Sequence, residues 1–133
     1  MKKITSCIFA SLLLTSCATY HLSTESLVQQ MAATQPERKY IYSPDLPFIP
    51  FSVEGNSLQR LRCLDKNGNT QIIDVTNRTS VRITLADSTR KTFYFNTLLI
   101  KDSTIAGSKT HFFEMRIKPI LLKDVVKIEV QKS

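Results

Sequence analysis

Residues 80–85 read Ser-Val-Arg-Ile-Thr-Leu, with every second side chain apolar. A period of two puts Val81, Ile83 and Leu85 on one face of a pleated strand and Arg82 and Thr84 on the other, and no helix can use that pattern. The alternation recurs at Phe93 and Phe95, at His111, Phe113, Met115 and Ile117, and at Val126, Ile128 and Val130. The last of these runs follows a one-turn helix expected around Leu122–Asp124, and its Lys127, Glu129 and Gln131 point to the opposite face. Between Leu61 and Val75, the stretch Lys66-Asn67-Gly68-Asn69 marks a hairpin turn through its Asn-Gly. No helical period follows residue 34. Short strands at close spacing predict a mainly β chain, a small antiparallel barrel or sandwich of about six or seven strands over residues 51–133.

The segment before residue 51 has a different grammar. "YHLSTESLVQQMAAT" predicts a short helix, with Ser23 as its cap, Glu25 in its first turn and Leu22 stapled to Leu27. Leu27, Val28 and Met31 form a narrow apolar stripe, and so short a helix needs packing to persist. "PERKYIYSPDLPFIPF" carries prolines at 36, 44, 47 and 50, three of them at every third residue. Proline lacks an N–H, so this stretch is expected as an extended strap packed along the domain rather than a central strand. Residues 17–50 therefore read as tether, helix and strap.

The first sixteen residues read as a secretory signal. Met1-Lys2-Lys3 is a basic start, and residues 8–14 form an apolar run too short for the ~30 Å of a bilayer core. Thr-Ser-Cys occurs twice, ending at Cys7 and at Cys17. Only the second follows the whole apolar run, so Leu14-Thr15-Ser16-Cys17 resembles a lipobox, the site of diacylglycerol attachment and cleavage. That resemblance implies lipid on Cys17, loss of residues 1–16 and an N-terminal membrane anchor. Ala18 in the following position implies the outer membrane, facing the periplasm. An ordinary secreted chain is the competing reading, disfavoured by the agreement of charge, run and box.

Removing residues 1–16 from 133 leaves 117, and the formal charge falls from +7 to +5 because Lys2 and Lys3 leave. The remaining cations are scattered, which reads as a solvated surface in preference to a patch for anionic headgroups. Export argues against nucleic acid. With Cys17 acylated, Cys63 is the lone thiol, and its place two residues from Leu61 predicts a buried, inert side chain. Asp65, Asn67 and Asn69 brush against a calcium-loop pattern, which fails because its glycine is misplaced and Thr76 stands where a glutamate should close it. Only two histidines remain, His21 and His111, with no phosphate loop and no metal-spaced cluster. No cofactor, metal or catalytic residue is expected, and the chain reads as a non-enzyme.

The last third, "VRITLADSTRKTFYF", "DSTIAGSK" and "IKPILLKDVVKIEV", resembles the small SH3-like or Sm-like barrels. The resemblance rests on the bend at Asp102-Ser103-Thr104-Ile105-Ala106-Gly107 and an ending matched at Ile120, Leu122, Asp124, Val125, Ile128, Glu129 and Val130. With the lipobox and "YHLSTESL", the chain is similar to small lipoproteins of the Bacteroides type. That likeness implies O-glycosylation at Ser88 and Ser103, in Asp87-Ser88-Thr89 and Asp102-Ser103-Thr104, whereas the same tripeptides make good turns unaided. The expected role is a lipid-tethered binding or assembly module with an envelope protein as partner. The alternatives are an immunity or inhibitor lipoprotein against an envelope-acting toxin, and a purely structural lipoprotein.

Overall fold

The two ends of the described chain lie side by side. In the computed structural model, which describes residues 18–42, 48, 50–109 and 116–132 (backbone only for 38–42 and 50–53), the chain begins with β1, Thr19–Leu22. It pairs antiparallel with the last strand, joining Thr19 to Gln131 and Leu22 to Ile128. The elements between are α1 (Thr24–Ala32), β2 (Pro36–Tyr42), β3 (Pro50–Asn56), β4 (Arg60–Leu64), β5 (Thr70–Asp74), β6 (Ser80–Leu85), β7 (Arg90–Tyr94), β8 (Leu99–Lys101), β9 (Thr104–Ala106), β10 (Ile120–Leu121) and β11 (Val125–Gln131).

The protein is mainly β. Six strands form one antiparallel sheet in the order β5-β4-β1-β11-β6-β7, beside a three-stranded sheet β10-β9-β8 and the β2-β3 hairpin. Of the two expected architectures the sandwich fits: among the described residues β5 and β7 end the large sheet and do not pair with each other. One core draws on both larger sheets and α1, including Leu27, Leu61, Phe95, Ile105 and Val130. Burial of such side chains stabilises by about 1.5–3 kcal/mol each.

The expected period-2 rows are present. Val81 and Ile83 of β6 and Phe93 of β7 are buried, and β11 lays Ile128 opposite Ile83 and Val130 opposite Val81. The one-turn helix spans Leu122–Asp124. Val126 departs from expectation: it is 65% exposed, whereas Ile128 is 2% exposed. The β11–β6 register shifts between Val125 and Lys127, a bulge that turns one residue over and sets Val125 against the core instead. The strand expected at 111–117 falls largely outside the described residues; its last residue, Ile117, is buried.

The expectation of a tether ahead of a domain starting at residue 51 gives way to a different division of labour. β1 is an inner strand of the large sheet. Ser23 caps α1 by accepting from the Ser26 N–H at 3.1 Å, as its sequence implied, and Leu27 and Met31 are buried. Gln30 of α1 does more. Its side-chain amide donates to the Arg62 carbonyl at 2.8 Å and accepts from the Arg62 N–H at 2.7 Å. One side chain thereby supplies β4 with the two bonds of a peptide group where β1 has ended.

The proline-rich strap is half strand. β2 pairs with β3 from Pro36↔Asn56 to Tyr42↔Pro50, and Pro36 and Pro50 are the first residues of their strands, where a missing N–H is tolerated. Phe48 is exposed rather than packed. Asn56 fastens the hairpin by donating to the carbonyls of Phe95 and Leu98, at 2.8 and 2.9 Å. Gly55 lies so close to the Asn96 carbonyl that a Cβ there would overlap it, and a Cβ on Gly107 would enter the Phe93 ring.

Candidate functional sites at the two ends of the sheet

Cys17, the expected lipid acceptor, and Cys7 lie outside the described residues, as does His111. Ala18 is the first described residue, and β1 follows at once. At this end of the sheet an open depression is lined by Ala18, Thr19, His21, Lys66, Asn67 and Gln71. Lys66 belongs to the β4–β5 hairpin, whose Gly68 takes φ 81°, a conformation that suits glycine. Asp65 organises that turn: its Oδ1 accepts from the N–H groups of Asn67 and Asn69 at 2.8 and 2.9 Å. The Asn69 amide first, then Asn67 and Gln71, hold its carboxyl below the usual range. The carboxylate is therefore spent on the hairpin itself. Among the described residues no group of His, Cys, Asp and Glu is arranged to hold a metal.

Next to this depression, Glu129 lies on the face of the sheet opposite the core. It is 8% exposed, although alternation sets it opposite the aliphatic row. Two neighbouring strands explain the burial. Arg82 stands directly opposite on β6 and donates from Nε and Nη2 at 3.3 and 3.0 Å, and His21 stands opposite on β1. Lys127 adds a 3.7 Å contact. The Arg82 bond is the main cause that keeps the Glu129 carboxyl below its ordinary range. A bidentate arginine is the residue type suited to a buried carboxylate.

Cys63 and His21 line one shallow depression together with Ser26 and Arg62. Cys63 is nevertheless 3% exposed and points inward beside Leu61, as the sequence implied. Its Sγ lies 3.7 Å from the Gln71 carbonyl, and burial pushes the thiol pKa up, away from the thiolate that nucleophilic chemistry requires.

The Asp-Ser-Thr turns occupy the other end. Ser88 and Ser103 are both exposed and both have positive φ, 69° and 61°, as does Asp102 at 50°. In the β6–β7 hairpin, Ser88 donates its N–H to the Leu85 carbonyl at 2.9 Å and Leu85 donates to the Thr89 carbonyl at 2.8 Å. The β4–β5 hairpin repeats that scheme with Gly68 in the place of Ser88. These are three-residue loops whose last position is left-handed. The turns are held by neighbours of the serines: Thr89 N–H to Asp87 Oδ1 at 2.9 Å, and Thr104 hydroxyl to the Lys101 carbonyl at 2.6 Å. Each turn is also tied to the one-turn helix 122–124, through Ala86 N–H to the Asp124 carbonyl at 2.9 Å and Leu122 N–H to the Ser103 carbonyl at 3.0 Å. The two tripeptides, fifteen residues apart in sequence, thus share one end of the fold. Apolar alternation gave no hint of this; the repeated Asp-Ser-Thr was the signal available.

No protein family, curated protein or solved structure gives a significant match to this chain.

Proposed function

We propose that this protein is an envelope lipoprotein, anchored by lipid on Cys17 in the outer membrane facing the periplasm, and that its β-domain is a binding or assembly module rather than an enzyme. The carrying observation is the sequence Leu14-Thr15-Ser16-Cys17 behind a basic start and a seven-residue apolar run. β1 begins at Thr19, so cleavage before Cys17 leaves every described element whole. Against catalysis stand the buried Cys63 thiol and an Asp65 carboxylate committed to its own turn. The sheet face with exposed Ile72 and Leu64 on strands β5 and β4 offers a surface to an envelope partner.

Growth with a clickable palmitate analogue tests the anchor: label should vanish in Cys17→Ala and persist in Cys7→Ala. The opposite pattern overturns the address. Crosslinked pull-down from envelopes then reads the module: a stoichiometric partner is expected, and an abundant protein with none favours the purely structural role. Ser88 and Ser103 are proposed O-glycan acceptors, since both hydroxyls belong to exposed turns. Their turn geometry is already explained by Asp87 and Thr104, so an unmodified intact mass removes that proposal.

A further inference from the structure

We infer that the end of the large sheet where β1 starts lies on an anionic lipid surface, with Lys66, Arg78 and Lys132 against the headgroups. This rests on the anchor at Cys17 and specifies how the anchored domain stands. Residue 17 is two peptide units from Thr19, so a lipid on it is held within about 7 Å of β1. Only Ala18 separates the anchor residue from β1. The row Thr19–Gln131–Ser80 closes this end of the sheet.

Three exposed cations surround that row. Lys132 is one residue past Gln131, and Arg78 is two residues before Ser80, in a loop whose Thr79 carbonyl accepts from the Phe95 N–H at 2.9 Å. Lys66 lines the same depression as Ala18 and Thr19. Asp65 is the acidic residue of that depression, and its carboxylate is turned into the hairpin by two backbone amides. At the opposite end Asp87, Asp102 and Asp124 stand beside Arg90, Lys101 and Lys123, and the further basic cluster of Lys91, Lys109, Arg116 and Lys118 lies at β7, the edge strand three places from β1. Cations near an anionic membrane each add to attraction within a Debye length, so the two ends differ in their affinity for headgroup phosphate. The Asp-Ser-Thr turns then face away from the bilayer.

The test uses the mature chain with Cys17→Ala, so that binding is read without the acyl group, sedimented with vesicles of phosphatidylglycerol and phosphatidylcholine or of phosphatidylcholine alone at low salt. Preference for the anionic vesicles is expected, lost at high salt, and reduced by at least about fivefold per reversed cation in Lys66→Glu, Arg78→Glu and Lys132→Glu. The control reverses Arg90, Lys101 and Lys123, which changes net charge equally and should cost less than twofold per site. Circular dichroism confirms that both triple variants fold; if the first does not, the three single reversals replace it. Equal loss in both sets, or no preference for anionic vesicles, overturns the inference. A wrong anchor shows separately, as absent acyl labelling of the native chain.

Discussion

β1 and β11 are hydrogen-bonded neighbours in the middle of one sheet, yet only β11 is readable as a strand. β11 has seven residues, enough for Ile128 and Val130 to declare an inward row against Val81 and Ile83. β1 has four, Thr-Tyr-His-Leu, and a single buried leucine carries no period. The contrast teaches that the pattern which names a strand needs length, whereas the pairing that stabilises it needs only a neighbour. β1 inherits its place from β11 on one side and β4 on the other.

Deleting residues 18–33 is the severest way to test that comparison. It removes an inner strand together with Leu22, Leu27 and Met31, and leaves β11 with an unpaired side. Loss of the cooperative unfolding transition is expected, because the contributions removed approach the ~5–15 kcal/mol that such a domain has in total. A domain that still melts cooperatively would return this segment to the status of a tether.

Single substitutions in β11 sharpen it further. Ile128→Ala should cost about 2–5 kcal/mol in denaturant unfolding. Val126→Ala, across the bulge, should stay within about 0.5 kcal/mol. Equal costs would mean that the bulge is misplaced and the row runs unbroken.

Arg82→Ala probes the outward face that β1 and β11 share. Glu129 would lose its two charge-assisted bonds while remaining covered, at a cost of about 1–3 kcal/mol, moderated because the Arg82 side chain is 35% exposed. The carboxyl pKa of Glu129 is depressed in the folded state. Its contribution is therefore complete above the unfolded carboxylate range, ~4.3, and is lost as pH falls through the lower folded value. Arg82→Ala should flatten that acid limb of the stability profile; an unchanged limb would assign it to other carboxylates.

The smallest expected effect is at Gln30→Ala, about 1 kcal/mol, because two backbone groups of Arg62 at the surface would turn to water. Amide exchange at Arg62 should accelerate in that variant while Ile128 keeps its protection. Unchanged exchange would show that β4 needs no substitute where β1 stops.

Much of the hairpin framework was legible because its causes are local. Asn67-Gly68 supplies a left-handed residue, and alternation over five or six residues chooses a face for β4, β6 and β7. Ser88 was less legible, since a serine in the position that glycine fills in the β4–β5 hairpin is recognised only from its backbone. Cys63 could be placed because Leu61 fixed its parity. Gln30 could not, because its partners are the backbone of Arg62, thirty-two residues away.

By itself the sequence determined the turns, the parity of the longer strands, the cap on α1 and the chemical pattern at Cys17. Each depends on residues within a few positions of one another. Only the tertiary structure decided that residues 19–22 form an inner strand, that half of the proline strap pairs with β3, that Val126 faces water and that Glu129 does not. Those outcomes depend on which strands become neighbours. Neighbours fix register, register fixes where a bulge must fall, and a carboxylate is covered or exposed according to whether an arginine stands opposite it.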